Sequence, residues 1–267
     1  MMATEPVFAR QVSWWVFALI GAIGGFMAGL FGIGGGIVMM PLLMMFAHMN
    51  QRVASGTSLA VIIPTAFAGS ISYAIDGNVD WLAALVIAAG SVGGAQLGSY
   101  LLDRLRKRTL VYSFITFQVA VIISLWLVIP DRSAALGWSP LVGVLLFLVG
   151  VFTGVLAGLL GAGGGIVVVP ALIVLFGASD LVAKGTSLVM MIPSSISGTI
   201  ANMRRNNLDI RGALFTSIGA VVLAPIGLLA ATAISAQVGN ILFSVLIIVM
   251  AARMLVAHLR DPNKDAR

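Results

Sequence analysis

One ten-residue stretch occurs twice, and the spacing of its copies governs what the chain can fold into. Gly32-Ile33-Gly34-Gly35-Gly36-Ile37-Val38-Met39-Met40-Pro41 returns as Gly161-Ala162-Gly163-Gly164-Gly165-Ile166-Val167-Val168-Val169-Pro170, at an offset of 129 residues. The offset holds without a gap well beyond the glycines. Gly21, Gly25 and Gly29 map onto Gly150, Gly154 and Gly158, and Gly56-Thr57-Ser58-Leu59 maps onto Gly185-Thr186-Ser187-Leu188. Pro64, Gly69, Asn78 and Asp80 map onto Pro193, Gly198, Asn207 and Asp209. A repeat this long makes two copies of one structural unit the frame of the fold.

The unit is a membrane unit. Of 267 residues, 60% are apolar and only 9% charged, against about 25% charged in a soluble domain. The apolar runs lack the alternation of a barrel strand, so helices are expected. They fall at 12–31, 34–47, 53–75, 79–102 and 109–129, then at 139–160, 163–177, 182–203, 209–232 and 238–258. Each half thus has five segments. The second of each, 34–47 and 163–177, is shorter than the ~20 residues a spanning helix needs.

Charge decides how the short segments are counted. If they cross, one side of the membrane receives Arg10, Arg52, Arg104, Arg106, Lys107, Arg108, Arg204, Arg205, Arg211, Arg253, Arg260, Lys264 and Arg267, and the other only Arg132 and Lys184. If they turn back, the split is 9 against 6. The positive-inside rule selects ten crossings with both termini cytoplasmic. Five crossings per half is an odd number, so the halves enter from opposite sides. The expected fold is an all-α polytopic membrane protein of two five-segment inverted repeats. Residues 1–130 form the first half, 131–140 an external linker, 141–260 the second half and 261–267 a polar cytoplasmic tail. The run from Val12 belongs to the repeat and reads as a retained first span. The net charge of +6 is accounted for by cytoplasmic loops rather than by nucleic acid. With no cysteine in the chain, disulfide and thiolate chemistry is excluded.

Inverted repeats with short, glycine- or proline-interrupted segments at matching positions are a pointer to a transporter's binding site. Consecutive glycines break a helix, since each costs about 1 kcal/mol relative to alanine. Gly34, Gly35 and Gly36, and Gly163, Gly164 and Gly165, would each open a helix inside the protein. Free amides and the positive dipole end there suit an anion. Thr57, Ser58, Thr186 and Ser187 offer hydroxyl donors to an oxyanion, or helix-to-helix bonds; the sequence leaves both roles open. Pro41, Pro64, Pro170 and Pro193 are kink or hinge positions. Lys184 replaces Ser55 of the first copy; it either attracts an anion at the outer mouth or snorkels to the interface. Gln96, Gln118 and Asn202 read as helix-to-helix bonds. Asp76, Asp80, Asp131 and Asp180 are expected in loops, leaving no acidic relay at mid-membrane depth. No phosphate-binding loop, paired carboxylates or nucleophile triad is present, so an enzyme is not expected, nor is a metal or other cofactor.

The duplicated Gly-x-Gly-Gly-Gly-x-x-x-x-Pro with its following Gly-Thr-Ser resembles the TauE/SafE family of sulfite exporters, also called TSUP or DUF81-type permeases. The resemblance extends over roughly residues 14–258. It implies a protein of the bacterial inner membrane that carries a small anion of the sulfite, thiosulfate or sulfonate class, with the substrate held at the glycine breaks and the Thr-Ser pairs. Family members are commonly drawn with fewer segments than the ten counted here. Coupling stays open between proton cotransport, antiport and facilitated passage, with a proton able to ride on the substrate. The oligomeric state is also open. A passive channel and a non-transporting membrane scaffold are the alternatives.

Overall fold

The computed structural model describes residues 12–102, 116, 119, 122–123, 137–160 and 163–260. Arg10, the basic run 104–108, most of the fifth apolar segment with Gln118, residues 131–136 of the linker and the tail 261–267 lie outside the described residues. Nine helices are described, and no strand: α1 (Trp14–Phe31), α2 (Gly36–Phe46), α3 (Gln51–Ile75), α4 (Trp81–Leu102), α5 (Pro140–Leu160), α6 (Gly165–Phe176), α7 (Asp180–Met203), α8 (Ile210–Ala233) and α9 (Ala236–Arg260).

Short polar side chains start the long helices, and they recur at the repeat offset. The Asn50 side chain accepts from the Val53 amide and Ser179 from the Val182 amide, at 3.0 and 3.2 Å. Asp80 does the same for Ala83 and Asp209 for Gly212, at 2.9 and 3.0 Å. Each cap satisfies an amide that the first turn leaves without a carbonyl.

Five helices, α1, α3, α4, α5 and α8, are long and apolar enough to cross a membrane. α7 matches them in length but carries Asp180, Lys184, Ser187, Ser194, Ser195 and Asn202. The large side chains point outward: along α8, Ile210, Leu214, Ile218, Val222 and Leu229 are exposed, while Ala213, Thr216, Ala220, Ala224, Gly227 and Ala231 are buried. A soluble helix would bury the large set. Here lipid solvates it, and the small residues let helix backbones approach. This is an all-α polytopic membrane protein.

The helices interlock between the halves. α1 runs parallel to α8, with Gly21, Gly25 and Gly29 against the carbonyls of Thr216, Ala220 and Ala224. α4 runs parallel to α5, with Gly90, Gly94 and Gly98 against the carbonyls of Phe147, Val151 and Val155. These two contacts correspond at the repeat offset: the first helix of each half clasps the fourth helix of the other. At the centre α3 and α7 cross antiparallel, Gly198 meeting Leu59 and Gly69 meeting Leu188.

The face where α1 begins is called the near face here, and its opposite the far face. Phe17, Met49 and Gly212 meet near the starts of α1, α3 and α8, so these three helices begin at the near face. Tyr73, late in α3, donates to the Gly29 carbonyl late in α1, at 2.8 Å. α4 and α5 both begin at the far face, where the Trp138 indole donates to Asp80 Oδ2 at 3.3 Å. The chain therefore leaves α4 at the near face and enters α5 at the far face.

Candidate functional site

The site begins with two helices that start inside the protein. α2 has 11 residues and α6 has 12, so at ~1.5 Å per residue each reaches about half of a ~30 Å hydrocarbon core. Their caps are Gly35 and Gly164, with φ of +74° and +79°, a left-handed conformation that only glycine adopts without strain. At Gly35 the chain doubles back onto α1: an added Cβ would overlap the Gly24 carbonyl, 2.8 Å from its carbon. At Gly164 an added Cβ would lie 2.5 Å from Thr153 Cγ2, and Thr153 occupies the place of Gly24 in the second copy. Both short helices thus begin level with the middle of the long helix before them.

They begin against each other. A Cβ on Gly165 would lie 2.7 Å from Ile33 Cα and 2.8 Å from the Gly32 carbonyl oxygen. From there they diverge. Met39, Leu43 and Ala47 pack with Phe17 towards the near face, and Val168, Leu172 and Ala178 pack with Tyr73 and Ala183 towards the far face. The first intrahelical bonds come from Val38 and Met39 to the Gly35 carbonyl, and from Val167 and Val168 to the Gly164 carbonyl. Among the described residues no carbonyl accepts from the amides of Gly36, Ile37, Gly165 or Ile166. Neither first turn carries an acidic side chain. Two positive dipole ends, each worth roughly half a charge, therefore converge in a buried centre with no carboxylate of their own to neutralise them.

The four hydroxyl residues are placed unequally. Thr57 accepts from the Asp209 amide at 3.0 Å, and Thr186 from the Asp80 amide at 2.9 Å. The glycine before each threonine lies on the carbonyl of Asn207 or Asn78. These are two equivalent clasps between halves, one at each face, and each engages a threonine hydroxyl oxygen with a backbone amide of the other half. Ser58 donates to its own helix at the Ser55 carbonyl, 2.9 Å. Ser187 donates to the Gly32 carbonyl, which puts it beside the first break. In the sequence Asn78, Asp80 and their mates are repeat landmarks, with Asp80 expected in a loop; their matched offset is the signal that they are clasp partners.

Pro41, Pro64, Pro170 and Pro193 all lie inside helices. In α3 and α7 the missing amide leaves the carbonyls of Ala60 and Val189 without their helical donor. Lys184 differs from either expected role. It is buried and its ammonium lies 3.2 Å from Asp180 Oδ2, because Asp180 opens α7 after the Ser179 cap instead of lying in a loop. The Lys184 backbone packs on Gly32, whose added Cβ would lie 2.5 Å from Lys184 Cα. Asn202 donates within its own helix to the Gly198 carbonyl at 2.9 Å.

The geometry can be set beside known proteins. The sequence model described as "Sulfite exporter TauE/SafE" matches residues 2–125 and 146–267. The chain belongs to the TauE/SafE family. Among its relatives, the Bacillus subtilis protein named probable membrane transporter protein YunE is 30% identical over 218 residues, covering 72% of this chain and 79% of that protein. A probable membrane transporter protein of Xylella fastidiosa is 30% identical over 242 residues, 86% of this chain and 90% of its own. One from Methanocaldococcus jannaschii is 31% identical over 201 residues, 70% and 72% of the two chains. TauE/SafE membership makes this a protein of a membrane transporter family.

Proposed function

We propose that the protein is a secondary transporter of small sulfur oxyanions or organosulfonates, working in export, and that the anion binds between the starts of α2 and α6. The observation that carries this reading is the convergence of two helix N-termini whose first amides meet no carbonyl among the described residues and whose first turns carry no acidic side chain. Such a centre repels cations and binds an oxyanion without burying a fixed positive side chain. The sulfur class comes from the family's description. Ser187 stands beside the first break as a neighbouring hydroxyl, and Thr57 and Thr186 act at one remove by holding the two faces closed.

The mechanism is exchange of conformation between inverted halves. Support comes from α3 and α7, repeat mates that run antiparallel, and from clasps that are equivalent at the two faces. The chain's passage from near to far face between α4 and α5 supports a fifth crossing in the first half, and so ten in all. Among the described residues Arg52, Arg204, Arg205 and Arg211 lie at the near face, and Asp76, Asp80 and the Asp180–Lys184 pair at the far face. The positive-inside rule then makes the near face cytoplasmic in a bacterial inner membrane. An exported anion enters beside α2 and leaves beside α6. The test is flux of radiolabelled sulfite, thiosulfate and sulfoacetate from proteoliposomes, with chloride and acetate as controls. Saturable flux of a sulfur anion, lost in a folded Gly164→Leu variant, is the expected result. Flux of none of the three, or ion conductance without saturation, would overturn the reading.

A further inference from the structure

We propose that Ile62 and Met191 form the closure between the two glycine breaks and set the size of the anion that passes. The proposal rests on the site reading above. These two residues are repeat mates, 129 apart, and both are fully buried. Each reaches both breaks. A Cβ on Gly34 would lie 2.8 Å from Met191 Cε and 3.1 Å from Ile62 Cγ2. On Gly163 it would lie 2.5 Å from Met191 Cε and 2.7 Å from Ile62 Cδ1. Leu59 on Gly198 and Leu188 on Gly69 flank the pair on either side of the α3–α7 crossing.

Neither side chain has a donor for an anion, so both act by exclusion: an anion crossing between the breaks needs the space their methyl ends occupy. The pair is mechanically unequal. Ile62 is β-branched and stiff about its first torsion, whereas Met191 has three rotatable bonds and swings aside readily. Pro64 and Pro193 follow each by two residues and remove the hydrogen bonds to Ala60 and Val189, so both helices are softened at this level. The pair also sits where exchanging the two halves returns it to itself. A path opened from either face must therefore reach it.

The chain's lack of cysteine supplies the background for the test. Ile62→Cys and Met191→Cys, each the sole thiol, are exposed to a membrane-impermeant methanethiosulfonate in right-side-out and inside-out vesicles. Ile87→Cys, equally buried at the α4–α5 contact, is the control. Both central thiols are expected to react from either face, faster than the control. Reaction from one face only, or no faster than the control, would overturn the closure. This measurement needs no substrate, so it stands apart from the identity of the anion. In flux, Met191→Ala is expected to raise the sulfoacetate-to-sulfite ratio by about tenfold or more, the discrimination that a few methylenes supply in an apolar site. An unchanged ratio with intact sulfite flux would overturn the size role. If the unaltered protein carries neither anion, the substrate reading fails, while the labelling still decides the closure.

Discussion

Replacing Gly35 by alanine separates the two demands that the first break makes. One is conformational: φ is +74°, and a left-handed backbone costs an L-residue about 1–2 kcal/mol. The other is steric, because the new Cβ overlaps the carbonyl of Gly24 in α1, and backbone cannot swing away as a side chain would. Overpacking of this kind costs a further 1–3 kcal/mol or so, for a total of roughly 2–5. Gly77 supplies the control. Its φ is +72° and nothing lies within 4 Å of its added Cβ, so Gly77→Ala should lose only the first component. Gly143, inside α5 and also with nothing within 4 Å, should gain up to about 1 kcal/mol as alanine. The assay is unfolding of the three variants and the parent in mixed micelles titrated with dodecyl sulfate. The expected order of stability is Gly143→Ala, parent, Gly77→Ala, Gly35→Ala. Equal losses at Gly35 and Gly77 would refute the close packing of the break on α1, and with it the mid-depth start of α2.

Other perturbations follow from the same contacts. Thr186→Val removes the far-face clasp and Thr57→Val the near-face one, each worth about 1 kcal/mol. Each should raise thiol labelling from its own face about fivefold, while Thr→Ser leaves labelling unchanged. Asp180→Asn takes the carboxylate from a buried ammonium and should cost about 3–5 kcal/mol in the micelle titration, with Asp180→Asn/Lys184→Met losing less than the single change. Gly25→Leu collides with the Ala220 carbonyl and should abolish the monodisperse peak on size exclusion. Gly93→Leu, in α4 with nothing within 4 Å of its added Cβ, should leave that peak intact.

Much of the architecture was legible because lipid restricts the backbone to helices and duplication repeats the evidence. The short segments expected at 34–47 and 163–177 are α2 and α6 to within two residues, since triple glycine and the following loop mark both ends. The partners of Thr57 and Thr186 were not legible: a hydroxyl's hydrogen bond across halves leaves no local pattern, and only the shared offset of Asp80 and Asp209 hinted at it. The Asp180–Lys184 pair is not legible without the Ser179 cap, which moves Asp180 from a loop onto the first turn of α7. Ile62 and Met191 leave no repeat signal because they differ in type between the copies; the space they fill is common to both, the residue is not.

The clasp of α1 by α8 has a consequence for synthesis. Gly21 rests on Thr216 and Gly29 on Ala224, so α1 finds its seat only after α2 to α7 and then α8 have followed it from the ribosome. Until then its glycine stripe faces lipid or the insertion machinery. α4 and α5, close in sequence, join far earlier. The seating of α1 is therefore a late step of biogenesis, and a nascent chain cut short before α8 offers a quality-control protease an unseated α1.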